Sequence, residues 1–488
     1  MNTAHADAVL YFVNPGYLPS ASRRTREVFD PATLERIGVI PLCDKADVDA
    51  AIAVADAARI EWRAFDGRAR GRLLHEVAET IEQSVEHGLE VACLMGAETG
   101  RSFSDAMAEL AGCARVFRHY AELASEESND VLSSLRSLTL RHRHYEPYGI
   151  SVHILGVSQP LLLMCRTVAA SLAAGNSCIV KPAETAALCT LKFMEYFRGL
   201  PSGLVSCLPG DGLTAQLLVQ SAATHVVAFS GGAAAASAVA VTCAELMKPC
   251  VIETGCSAPV IVSRHALLDV AAACAVTAAF RLGGQTCTSA KRFFVVDEVH
   301  DPFVERFAEG VRALRTGYSR GYSEIGPLVS EEARKKVMGL VEDALAKGAT
   351  RVCGGQIPAD HPIGWFYEPT LLTELSENMD IYHEECFGPV AAVRRVRHFD
   401  EALELANSSP CKQGAVLFSG DLAEAITAAD RLEAGLIWVN NPLIYNEALT
   451  VDGWTLSGLG SDVGLCGLNA FRRSKTVFIN HPAREWQC

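Results

Sequence analysis

Apolar residues recur at helical spacing through Asp44–Phe65 and again through Arg68–Met95, where Leu73, Leu74, Val77, Ile81 and Val85 form one stripe. The Asp66-Gly67 pair between these segments reads as a short turn. Residues 1–120 are therefore expected to be largely helical. From residue 150 the pattern changes. Short β-rich runs appear at Ser151–Val157, Ser177–Lys181, Leu204–Leu208, His225–Phe229 and Cys250–Glu253. Helix-like stretches such as Leu161–Ala174 and Thr185–Phe197 separate them. Such alternation predicts a parallel sheet with helices on its faces, and ligands at the C-terminal ends of the strands. A second alternating region runs from Leu267 to Asn440. Ser134–Tyr145 and Lys475–Asn480 read as strands of another kind, either exposed edges that pair with a second subunit or an ordinary hairpin.

The composition narrows the class. With 488 residues, 49% hydrophobic and 20% charged, the chain can fold into two or three domains around a sizeable core. The net charge of −14 and the lack of any long basic run argue against a nucleic-acid partner. The 17 cysteines are odd in number and show neither CxxC nor Cys/His metal spacing. They read as reduced thiols, with no metal site expected. Met1–Tyr17 lacks the basic and apolar regions of a signal peptide, and no apolar run is long enough to span a bilayer. A cytoplasmic protein with no membrane partner is expected.

The chemistry is carried by motifs in a fixed order. Lys181-Pro182-Ala183-Glu184 comes first, followed by Glu253-Thr254-Gly255. Gly284-Gln285-Thr286-Cys287 follows, with Arg292 close behind, and then Glu384-Glu385-Cys386-Phe387-Gly388-Pro389-Val390. A thiolate is a strong nucleophile toward an aldehyde carbonyl, and a nearby carboxylate can activate water as a general base. Taken together, from about residue 25 to 480, the motifs resemble the aldehyde dehydrogenase superfamily.

The resemblance implies an α/β fold with a Rossmann-like cofactor domain, an α/β catalytic domain and a small β oligomerisation element. Residues 1–128 and 148–254 would form the NAD-binding domain and 255–445 the catalytic domain. Residues 129–147 and 474–488 would form the oligomerisation element, with 446–473 returning to the cofactor domain. A homodimer or homotetramer is implied. Cys287 would be the nucleophile and Glu253 the base. Lys181 and Glu184 would hold the adenosine ribose, and the carboxylate there favours NAD, with NADP also admitted. Ser230, Gly231 and Gly232 would open a helix toward the pyrophosphate, while Gly255, Glu385 and Phe387 complete the cofactor site. Two departures stand out. Ser158 occupies the position where the family has an asparagine that stabilises the oxyanion, a donor whose loss costs about 3–4 kcal/mol, and Gln159 is a substitute within reach. Ala236 replaces a second glycine after Gly232.

Arg166 and Arg281 resemble the arginines with which succinate-semialdehyde dehydrogenases grip a carboxylate, and Asn446-Glu447 fits the same subgroup. Tyr445 stands where that subgroup usually has serine, and Ser289 replaces its second redox cysteine. The expected substrate is thus a small aldehyde with an anionic tail. Two other readings use the same residues. One is a CoA-acylating enzyme, which the presence of Glu253 disfavours. The other is a non-catalytic member with a structural or binding role, suggested by Ser158 and Ala236.

Overall fold

The computed structural model describes residues 9–126, 130–132, 139–255, 257–319, 321, 323–441, 446–449 and 451–480. The predicted strands between 150 and 254 assemble into one sheet. Val205–Cys207, Ser177–Lys181, Ile150–Ile154, Val226–Gly231 and Cys250–Thr254 run parallel in that spatial order. The chain steps outward in one direction from Ile150–Ile154, then returns to its other side. Such a reversal opens a crevice at the strand C-termini, between Ile154 and Gly231. Antiparallel strands flank this core: Leu10–Val13 and Gly16–Pro19 on one side, Gly458–Leu459 on the other.

Both faces are covered, which explains why these strands read as continuous apolar runs. Cys178, Val180, Val226 and Ala228 enter one core, and Ile179, Val227 and Phe229 the opposite one. The second sheet follows the same rule. Its order is Thr350–Cys353, Thr370–Thr373, Val390–Val396, Ala290–Val296, Ala258–Val262, Gly414–Phe418 and Leu436–Val439, and only the first pairing is antiparallel. Phe293 and Val295 point into one core, Phe294 and Val296 into the other. The strand C-termini of the first sheet face the strand N-termini of the second. Glu253 sits at one such end, and Cys287 and Gln413 stand just before the strands Ala290–Val296 and Gly414–Phe418.

Two expectations need correction. The N-terminal region opens with two β-hairpins, the second formed by Thr25–Phe29 and Arg36–Pro41, before the helices begin. Thr25–Phe29 buries only Val28, so it carries no apolar alternation to read. The stripe Arg68–Met95 is two helices, Gly67–Gln83 and Val85–Thr99, broken at Ser84. Val85 is consequently 68% exposed and lies off the stripe. Asp44, Asp66 and Ser102 cap the helices that follow them, each accepting a backbone N–H.

Thr139–Pro147 and Arg472–Asn480 pair with each other along their whole length, antiparallel, and Asp130–Leu132 adds a third strand. The predicted strand from Ser134 to Leu138 lies outside the described residues. Among the described residues no helix is long and apolar enough to cross a membrane, and no His/Cys/Asp/Glu group is arranged to hold a metal ion.

Candidate active site

The loop that delivers Cys287 is held by backbone geometry. Leu282, Gly283 and Gly284 all adopt left-handed φ values, of 57°, 63° and 67°. A Cβ on Gly284 would lie 2.1 Å from the Gly388 carbonyl oxygen, so only glycine fits there. Gln285 is pinned at both ends, accepting from the Val329 N–H at 2.9 Å and donating to the Pro327 carbonyl at 3.2 Å. Lys291 is fully buried and donates to the carbonyls of Ala279 and Gly388, tying this loop to the Glu384–Val390 motif. Burial pushes its ammonium down to about 8.

Cys287 Sγ lies 3.2 Å from Glu253 Oε1, donating to it across the junction of the two sheets. Gln413 Nε2 donates to the same oxygen at 2.9 Å, fixing the carboxylate. Its other oxygen makes no hydrogen bond and stands 3.5 Å from Arg166 Nη2. This group opens into a cavity of about 270 Å³, lined also by Gln159, Arg115, Arg281, Tyr120 and Glu447.

The three arginines of the cavity wall are not equivalent. Arg115 donates to Glu447 at 2.7 Å. Arg166, expected to face substrate, lines the cavity and is at the same time ion-paired with Asp462 and largely buried. Burial pushes the Asp462 carboxyl up to about 6; Arg166 opposes that rise and Glu253 adds to it. Arg281 is exposed and has no hydrogen bond or ion pair with any described residue. Tyr445 lies outside the described residues; Asn446 and Glu447 line the cavity.

The loop before the helix Pro160–Ala174 carries the two candidate oxyanion donors, Ser158 and Gln159. Ser158 is buried and absent from the cavity wall, whereas Gln159 lines it. A buried pair sets this arrangement. Glu109 accepts the N–H groups of Leu161 and Leu162 at 2.8 and 3.0 Å, capping the helix. Arg101 pairs with Glu109 and donates to the carbonyls of Val157 and Ser158. Glu98 plays a parallel part behind the Lys181–Glu184 motif, accepting from Leu188 and Cys189 at 2.8 Å each. Among the described residues it has no counter-ion, and burial pushes its carboxyl up to about 7. Glu98, Arg101, Glu109, Asp462, Lys291 and Gln413 escaped the sequence reading. They act through partners remote in the chain, so no local pattern marks them.

The crevice at the first sheet has the form of a dinucleotide site. Lys181 ends one strand and is 7% exposed. Ser230 and Gly231 end another, and Gly232 caps the helix Ala233–Glu245 with no side chain on its terminal N–H groups. A Cβ on Gly232 would meet nothing within 4 Å, leaving those amides open to a phosphate. Ala236 is buried in the core with Val227 and Phe229, so its methyl packs inward. Across the crevice Glu385 lies over Gly255, where a Cβ would stand 1.9 Å from its carboxylate. Burial raises the Glu385 carboxyl, opposed by Lys336 and Lys291. Phe387 is half-buried beside it. These residues could hold a dinucleotide, with the open N–H groups at the start of the helix available to its phosphates.

Residues 17–477 match the aldehyde dehydrogenase family. The chain belongs to that family. It is 33% identical over 456 residues to a succinate-semialdehyde dehydrogenase [NADP(+)] of Mycobacterium avium (strain 104), covering 92% of this chain and 96% of that one. It is 30% identical over 477 residues to a betaine aldehyde dehydrogenase of Bacillus subtilis (strain 168), covering 96% and 97%. Among solved structures, an E. coli NADP dependent enzyme superposes with a TM-score of 0.94 at 28% identity, over 99% of this chain and all of the other. These likenesses span both sheets, so the whole two-sheet fold is the family's.

Proposed function

We propose that this enzyme oxidises a small aldehyde with an anionic tail to the carboxylic acid, using NAD(P), through a thioester on Cys287. The observation that carries the reading is the 3.2 Å contact between Cys287 Sγ and Glu253 Oε1, inside a cavity whose one unpartnered arginine among the described residues is Arg281. The Cys287 thiol gives its proton to Glu253 and the sulfur bonds to the aldehyde carbon. Gln159, whose amide lines the same cavity, is a side-chain donor for the resulting oxyanion. Bound NAD(P) supplies the hydride acceptor. Lys181, Glu184, Ser230, Gly231, Gly232, Gly255, Glu385 and Phe387 would hold it. Glu253 passes the thiol proton on to solvent and, ionised again, takes a proton from water as that water attacks the thioester. The acid leaves and Cys287 regains its proton.

The surroundings favour a negative tail over a positive one. A quaternary ammonium is normally caged by aromatic rings, and Tyr120 is the only aromatic residue among the described cavity walls. In this reading the first sheet is the cofactor unit and the second the catalytic unit. The three-stranded sheet serves subunit assembly as a dimer or tetramer, which fits the exposure of Leu140, Phe478 and Ile479 on it.

The test is reduced-cofactor formation at 340 nm with neutral, cationic and anionic aldehydes of matched length, with and without CoA. CoA-independent turnover, fastest on the anionic series, is expected. Cys287→Ser should abolish it while leaving nucleotide binding intact. Turnover surviving in Cys287→Ser, or an absolute need for CoA, would overturn the mechanism.

A further inference from the structure

Glu184 is the residue expected to exclude a 2′-phosphate by like-charge repulsion, but it does not stand alone. Its carboxylate is ion-paired with Arg26, from the strand Thr25–Phe29. One face of this N-terminal segment makes three successive contacts with the cofactor sheet. Arg24 pairs with Asp211, Arg26 with Glu184, and Val28 packs with Ile40 on Ala187, in the helix just after the Lys181–Glu184 motif. The hairpin is pressed onto that helix, since a Cβ on Gly38 would lie 2.7 Å from Leu188 Cδ1. Arg26 is thus held in place by the docking of a whole hairpin.

We infer that Arg26 sets cofactor choice by neutralising Glu184 and offering its guanidinium to a 2′-phosphate, so that the enzyme binds NADP as well as NAD. The inference rests on the reading above that Lys181 and Glu184 hold the adenosine ribose. Arg24, Arg26 and Lys181 here stand with the acids Asp211 and Glu184, and Glu332 beside them faces Lys335 as well as Arg26. The rim is therefore balanced rather than acidic, and a phosphate arriving at the ribose meets no net repulsion. The Arg26 side chain is 50% exposed and that of Glu184 25%, so the guanidinium can turn from carboxylate to phosphate without unpacking anything. An arginine fork suits a phosphate, with bidentate charge-assisted hydrogen bonds.

Calorimetric titration of the full chain with NADP and with NAD tests this without any turnover. Wild-type protein should bind both, within about tenfold of each other. Arg26→Ala exposes the Glu184 carboxylate and should weaken NADP by about tenfold or more, leaving NAD within about threefold. Glu184→Gln frees the guanidinium and should shift the ratio the other way. Binding of both nucleotides with a ratio unmoved by Arg26→Ala would overturn the role of Arg26 alone. NAD binding with no NADP binding in the wild type would do the same. If neither nucleotide binds, the cofactor reading itself fails and this inference falls with it.

Discussion

Replacing Arg281 by alanine should turn an enzyme selective for anionic aldehydes into one indifferent to tail charge. Among the described residues of the cavity wall, Arg281 is the one arginine with no protein partner, because Arg115 is held by Glu447 and Arg166 by Asp462. A charge-assisted, bidentate hydrogen bond contributes about 1.5–3 kcal/mol. Arg281 is exposed, so solvent screening reduces this to about 1–2 kcal/mol, or roughly 5–30-fold in kcat/KM. The loss should appear in KM for aldehydes with a carboxylate tail and be less than about twofold for neutral aldehydes of equal length. The preference should also weaken with added salt in the wild type and be insensitive to salt in the variant. Arg166→Ala provides the contrast. It strips the counter-ion from buried Asp462 and removes the cation 3.5 Å from Glu253, so it should slow all aldehydes alike. Equal losses on neutral and anionic aldehydes in Arg281→Ala would refute the reasoning. A charge-selective loss confined to Arg166→Ala would move the tail site to that residue.

Two further outcomes follow from the site. Glu253→Gln should slow the first-turnover formation of reduced cofactor and lower steady-state turnover by about 10²–10⁴-fold, because the amide can take a proton neither from the Cys287 thiol nor from water; steady-state rates within threefold of wild type would count against the base assignment. Gln159→Ala should lower kcat by about 10²-fold while Ser158→Ala changes it by less than about threefold, since only Gln159 lines the cavity; the reverse ranking would return the oxyanion to Ser158.

What was legible in the chain, and what was not, divides along a physical line. Strands buried on both faces, such as Ser177–Lys181, announce themselves as apolar runs, and the structure reproduces that one residue for residue. Gly284 is legible because backbone contact with Gly388 admits no side chain, so the motif is itself a packing constraint. The hairpin Thr25–Phe29 was not legible. Its outward face is charged and only Val28 is buried, yet it brings Arg26 to Glu184. The break at Ser84 was hidden because an apolar Val85 continues the count of the stripe while pointing into solvent.

The arginines carry this argument furthest. In the sequence Arg166 and Arg281 are two like residues at two matching positions, and both invite the same role. What separates them is Asp462, 296 residues along the chain from Arg166, which meets it only because the segment after Gly458–Leu459 returns to the first sheet. In the function proposed, the cation bound to a buried acid serves the scaffold, and the one facing the cavity without a partner among the described residues serves the ligand. The same rule holds at the other end of the crevice, with the sign reversed. Glu184 alone would repel a phosphate, and Glu184 paired with Arg26 need not. Position in a motif says which charges stand at a site. Their partners, drawn from distant parts of the chain, decide which of those charges remain for a ligand.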